Sequence, residues 1–335
     1  MRLLVIGSNS FSGSHFVNKA LKENHTVYGV SRSEESESLF LPYKWTKKDS
    51  ELKNLKKNFK FKKIDLNHNL NDLIQLVDDN KPEYIINFAS QGMVAESWKE
   101  PTHWYKTNLL SQVSFHDQLR KRDFLKKYVH ISTPEVYGST DGWVKENHNF
   151  KPTTPYSVSR AACDQHLISF FKAYKFPVVF TRAANVYGAG QQLYRIIPRT
   201  ILSIRTGKPL LLHGGGTSRR SFIHISDVVE ATLKLTFNAD SGSCWHISTK
   251  NALSIKDLVQ KICDILDYPF ERIVENVDER LGKDQNYLLD SNHIRTKHNW
   301  SDNVSLEEGI KDTINWIDNN LSYLKNLPWE YVHKK

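Results

Sequence analysis

Leu3-Leu4-Val5-Ile6-Gly7-Ser8-Asn9-Ser10-Phe11-Ser12-Gly13 decides the fold of this chain. Leu3 to Ile6 is a continuous apolar, β-prone run that stops at a glycine, the pattern of a strand buried on both faces. The chain turns helical from Ser14 to Glu23, and Val27-Tyr28-Gly29-Val30 follows as a second strand. Strand, glycine turn, helix and strand within about thirty residues form the first βαβ unit of a dinucleotide-binding fold. Gly7 permits the tight turn, and Gly13 lets the helix pack closely on the strand. Ser10 stands where a glycine would admit the phosphates, so the fingerprint is degraded. With Phe11 it opens the helix whose amides would face a pyrophosphate.

Working outward, the second strand ends in Ser31-Arg32-Ser33 rather than a carboxylate. A carboxylate there would bind the adenosine 2′-hydroxyl; a cation with hydroxyls suits a 2′-phosphate, which favours NADP over NAD. A plain loop arginine is the competing explanation. Phe61 to Leu66 reads as a third strand, with Asp65 and Leu66 at its end near an adenine. Tyr84 to Gln91 is a fourth, emptying through Ala89 into a small-residue loop beside the cofactor. Tyr128 to Ser132 is a fifth, after a helix spanning Thr102 to Lys121. Alternating strands and helices predict a Rossmann-type, doubly wound parallel α/β sheet. Residues 1–188 would form the dinucleotide-binding domain, and 189–335 mainly a smaller α/β substrate-binding lobe, with Thr181 to Asn185 returning to the main sheet. In that lobe helices are expected at Ile196–Thr206, Ile225–Leu235 and from Ser254 to Leu266, with a strand at Pro209–His213.

The chain has 335 residues, 39% hydrophobic and 25% charged, which fits a globular protein with a substantial core. Its net charge of +9 is dispersed in lysine pairs, not gathered into an arm. That suits an exterior around an anionic-ligand pocket better than a nucleic-acid surface. Cys163, Cys244 and Cys263 show neither disulfide nor zinc spacing, so the chain is expected in a reducing, cytoplasmic compartment. The first apolar run is too short to span a bilayer.

Chemistry concentrates in His130-Ile131-Ser132-Thr133-Pro134-Glu135-Val136-Tyr137-Gly138 and Pro155-Tyr156-Ser157-Val158-Ser159-Arg160. Tyr156 and Arg160 share one helix face, and a nearby cation lowers the pKa of a phenol, which suits Tyr156 to general-base work. With Thr107-Asn108, Arg182 to Gly188, Gly214 to Asp227 and the segment from Trp300 to Ile310, these motifs run in a familiar order. The chain resembles the extended short-chain dehydrogenase/reductase family of nucleotide-sugar enzymes over nearly its whole length. It is most similar to the dTDP-glucose and GDP-mannose 4,6-dehydratases, and also to UDP-glucuronate decarboxylases.

The resemblance implies roles. Thr133 would hydrogen-bond the sugar 4-hydroxyl and Tyr156 remove its proton as hydride passes to a bound NAD or NADP. Glu135 would take the C5 proton. Position 160, normally lysine, would bind the nicotinamide ribose. Asn108 would face the substrate, and Asn185, Arg220 and Arg280 would hold its diphosphate. Read without the resemblance, Glu135 could end a strand, Asn185 form a turn and Arg220 sit on a loop tip.

Departures from the family pattern matter. Pro134 stands where the dTDP-glucose type carries an acid, Arg160 replaces the lysine, and Gln91 and Met93 replace polar or charged loop residues. Three functions therefore stay open: a 4,6-dehydratase, a C4-epimerase or decarboxylase, and a non-catalytic nucleotide-binding relative. A homodimer is expected through an apolar stripe of Leu109, Val113, Leu119, Ala161, Leu167, Ile168 and Phe171, which internal packing would explain almost as well.

Overall fold

The computed structural model describes residues 1–46, 48–279, 282 and 284–333. Seven parallel strands form its central sheet: β1 (Arg2–Ile6), β2 (Thr26–Ser31), β3 (Phe59–Lys63), β4 (Tyr84–Asn87), β5 (Lys127–Ile131), β6 (Val178–Ala183) and β7 (Cys244–Ile247). Their order is β7-β6-β5-β4-β1-β2-β3, the doubly wound arrangement expected. The strand alternation explains the two cores. Leu4 and Ile6 join Ile85, Phe115, Tyr128 and Phe180 on one face, while Leu3 and Val5 join Phe16, Val17, Ile86 and Val129 on the other. The side chains of Leu3, Leu4 and Val5 are fully buried, each worth about 1.5–3 kcal/mol of transfer free energy.

Three local expectations change. The third strand lies at Phe59–Lys63, about two residues before its expected place, because Phe59 to Lys63 pair with Val27 to Ser31. The long helix divides into Pro101–Tyr105, a wide π turn at Lys106–Leu110, and Ser111–Leu119. The strand before Asn185 breaks: β6 ends at Ala183, and Asn185–Tyr187 leaves the sheet to pair in parallel with Phe222–His224.

Helix α1 (Phe11–Lys22) follows the glycine turn, and α2 (Pro155–Tyr174) carries the Tyr156 motif. A third core gathers Ile197, Ile201, Leu258, Ile262, Ile310 and Ile314 under helices Ile196–Thr206, Ile255–Ile265 and Leu306–Leu324. Ser254 with Asp257 and Ser305 with Glu308 close reciprocal capping boxes there. The apolar stripe proves partly internal: Leu119, Ala161 and Leu167 are buried in the chain's own cores. Leu110, Val158 and Tyr174 are among the exposed apolar residues of those helices.

Candidate active site

The strands' carboxyl ends open into a cleft of about 760 Å³ between the sheet and the lobe. Its floor begins at the glycine turn. Gly7 has φ +81°, and its amide donates to Val30 O at 2.7 Å. A Cβ on Gly13 would lie 2.2 Å from Gly7 O, and one on Gly7 would lie 2.9 Å from Ala89 N, so both positions require glycine. Ser10 turns its hydroxyl inward and accepts from Gly13 N at 3.1 Å, capping α1. That explains how a serine replaces the middle glycine: its side chain is withdrawn from the phosphate approach.

Ser10, Phe11 and Arg32 line the cleft. Ser31 lies behind it, its hydroxyl accepting from Asn9 N at 3.0 Å, while the Asn9 amide bonds Ser33 O and Glu34 O. Asp65 accepts from Asn67 N at 2.8 Å, and Ala89 N donates to Asn87 Oδ1 at 2.9 Å. Leu66, expected at the adenine, places its side chain in the core with Ile64 and Leu73.

At the end of β5, Thr133 caps a short turn, Pro134–Tyr137, and Pro134 occupies the first position, where its missing N–H costs nothing. Thr133 Oγ1 accepts from Glu135 N at 3.3 Å and donates to Glu135 Oε2 at 3.4 Å. Burial pushes the Glu135 carboxyl up to about 7, against the pull of Arg220 and Arg195, with Asp284 adding to the rise. Tyr156 is held in the first turn of α2 by the Thr154–Ser157 capping box behind Pro155.

The expected low pKa of Tyr156 is not found. Burial raises it and Glu135 raises it further, outweighing Arg160 and Thr133, which lower it. Arg160 has partners besides the phenol. Its guanidinium donates to Ile131 O and lies 3.3 Å from His130 Nε2, in a buried cluster with Asp164 and Arg182. Burial would raise the Asp164 carboxyl, but Arg182, His130 and Arg160 together hold it well below its usual range. Arg160 is thus held against the end of β5 while it still borders the cleft.

The opposite wall brings Asn185 and Arg220 together through a residue that the sequence did not single out. Tyr287 donates to Asn185 Oδ1 at 2.9 Å, and the Arg220 guanidinium stacks 4.0 Å from its ring centre. Arg220 also bonds the carbonyls of Asp284 and Gln285, so it is a buried strut rather than a loop tip. Arg195, likewise not foreseen, is an exposed cation on the same wall. Neither residue belongs to a spaced motif that could have revealed it. Arg280 lies outside the described residues. Asn108 is corrected: it is fully buried and absent from the cleft wall, accepting from Gln91 N and donating to Gln91 O and Ser159 Oγ. It therefore fixes the loop after β4 instead of facing substrate, and the π turn that contains it supplies the reach.

With this geometry in hand, the comparisons are specific. The profile of the GDP-mannose 4,6 dehydratase family matches residues 4–313. The chain belongs to that family. Among similar members, mouse dTDP-D-glucose 4,6-dehydratase is 30% identical over 97% of this chain and 91% of its own length. A trifunctional UDP-glucose 4,6-dehydratase/epimerase/reductase of Arabidopsis thaliana is 30% identical over 98% of this chain, which spans only 48% of that relative. A dTDP-glucose 4,6-dehydratase from Streptomyces venezuelae, solved with NAD and TYD bound, superposes with TM-score 0.85 at 26% identity, covering 96% and 98% of the two chains. UDP-glucose 4-epimerase of Thermotoga maritima, solved with UDP-glucose, gives 0.84 at 25% identity over 96% and 100%. The fold is thus shared over nearly the whole of this chain. Among the described residues no helix is long and apolar enough to cross a membrane.

Proposed function

We propose that the protein converts a nucleoside-diphosphate hexose to the 4-keto-6-deoxy sugar and water, with a dinucleotide retained through the cycle. The observation that carries this reading is Glu135, a carboxyl near pKa 7 in hydrogen-bond contact with Thr133 in the cleft that Tyr156 lines. An epimerase needs Tyr156 and Thr133 alone; a carboxyl poised to exchange a proton at neutral pH is the additional element that elimination requires.

The residues fit a dinucleotide, because the cradle between Gly7 and Gly13 has no room for a Cβ and the α1 amino terminus opens on the cleft. When bound, that cofactor supplies a site that takes a hydride from C4 and returns one to C6. Thr133 orients the 4-hydroxyl and Tyr156 removes its proton. Glu135, deprotonated, takes the proton at C5, which the 4-ketone acidifies. Glu135 then delivers that proton to the departing 6-hydroxyl, since Pro134 has none to give. The proton that Tyr156 took from the 4-hydroxyl is returned to C5 as C6 is reduced, which resets both groups. Glu135 and Tyr156 compete for a single negative charge, so neutralising Glu135 makes Tyr156 easier to ionise.

Arg195 would meet the diphosphate, with Asn185 and Arg220 behind it. Arg32 biases the dinucleotide toward NADP, although the Streptomyces relative holds NAD. A dimer formed through Leu110 and Val158, and a reducing cytoplasmic setting for Cys163, Cys244 and Cys263, complete the reading. The test is incubation with dTDP-glucose, GDP-mannose, UDP-glucose and UDP-glucuronate, followed by chromatographic separation and mass spectrometry. Loss of one water with a 4-ketone supports the proposal; an epimer or a pentose as sole product overturns it.

A further inference from the structure

Leu306–Leu324 ends on the lobe, and the chain then crosses the mouth of the cleft. Trp329 is buried, its indole N–H donating to Leu324 O at 3.2 Å and its carbonyl accepting from Arg199 at 2.7 Å. Arg199 also pairs with Glu330 at 2.7 Å. Those contacts anchor one end of the crossing on the lobe. The other end is anchored on the sheet domain: His333 lies 2.9 Å from His103 and stacks on the fully buried Trp104, with ring centres 5.0 Å apart. Between the anchors, Glu330 and Tyr331 line the cleft. The Tyr331 ring meets Tyr194 edge-on at 5.5 Å, and its hydroxyl reaches Gln91 Oε1 at 3.4 Å.

Gln91 is one of the residues whose identity departs from the family pattern. It is buried, and both its backbone polar groups are held by Asn108. Its side chain is the point where the crossing segment touches the loop after β4.

We propose that Trp329–His333 is a strap across the cleft and that Tyr331 is a positioning residue, holding the loop Ser90–Val94 in place through Gln91 and slowing release of the dinucleotide. The proposal rests on the dinucleotide reading above. A redox-neutral cycle gains from such a device, because a hydride lost with the departing cofactor ends the cycle before it is returned.

The test needs no nucleotide sugar, so its outcome is independent of whether the dehydratase reaction occurs. Dissociation of NADH and NADPH is followed by fluorescence, and amide hydrogen exchange at Ser90–Val94 is measured in the ligand-free protein. Tyr331→Ala is expected to raise both rates about tenfold, with Tyr331→Phe intermediate because the contact with Tyr194 persists. His333→Ala, which removes one partly buried ring at the far anchor, is expected to raise both about threefold. Wild-type rates in both alanine variants would overturn the strap. Wild-type exchange in Tyr331→Phe would overturn the coupling through Gln91.

Discussion

The two walls of the cleft are built by opposite means. The sheet wall draws on short contiguous stretches: seven residues from Gly7 to Gly13 and three from Thr133 to Glu135. Its geometry is enforced by backbone, through a left-handed glycine, a helix cap and a proline at the head of a turn. The lobe wall draws Asn185, Arg195, Arg220, Tyr287 and Tyr331 from separate segments and holds them by side-chain contacts. Backbone geometry tolerates almost no substitution, whereas side-chain networks tolerate graded loss. Mutations on the first wall should therefore act as switches and those on the second as tuning.

Gly13→Val gives the sharpest break. Its Cβ would sit 2.2 Å from a backbone oxygen, which cannot rotate away as a side chain could. Dinucleotide binding, measured by fluorescence titration, should vanish, and stability should fall by about 1–3 kcal/mol. If the variant binds the cofactor normally, the sheet wall is not set by backbone contact.

Glu135→Gln should lower turnover about 10²–10⁴-fold. It carries a pH signature as well. A base titrating near 7 makes wild-type activity rise with pH through that value, and the rise should be missing in the variant. The stability effect has the opposite sense. Folding raises the pKa of this carboxyl, so its favourable contribution is present below about 4.5 and lost as pH rises through about 7. The variant should therefore be more stable than wild type at pH 8, by about 1–3 kcal/mol, in chemical denaturation. Full dehydratase turnover in Glu135→Gln would remove the proposed mechanism.

The same contrast explains what was legible in the sequence. β1, the glycine turn, α1 and the Tyr156 helix could be read because apolar runs, caps and glycines record local backbone demands. Arg160 was legible as a cation but not in its aim: only the fold brings Ile131 O and His130 within its reach. Asn108 looked like a polar residue free for a ligand, yet contacts with Gln91 and Ser159, 17 and 51 positions away, consume its amide. Tyr287 was invisible because its partner Asn185 is 102 residues distant, and no spacing rule spans that gap. β7 escaped for a related reason: Cys244–Ile247 is short and gains its identity by pairing with β6.

Tyr287→Phe probes the second wall gently. The ring under Arg220 remains, and the hydroxyl's bond to Asn185 is lost. One net hydrogen bond is worth about 0.5–1.5 kcal/mol, so KM for the sugar nucleotide should rise about three- to tenfold with kcat nearly unchanged. Equal losses in kcat and kcat/KM would instead place Tyr287 in the chemical step.

Arg32→Ala should have the smallest effect, and it tests where backbone control stops. Arg32 follows β2, beyond the Asn9 and Ser31 bonds that fix the glycine turn, and it lines the cleft as a side chain. A partly exposed charge contact contributes about 1 kcal/mol or less, so the preference for NADPH over NADH should fall no more than about fivefold. Screening adds a second handle, because raising the salt should shrink the wild-type preference toward that of the variant. If Arg32→Ala weakens both cofactors equally, the residue acts on the shape of the turn and belongs with Gly7 and Gly13. If only NADPH binding weakens, Arg32 belongs to the side-chain wall although its strand lies in the sheet, and the boundary between switching and tuning runs between Ser31 and Arg32.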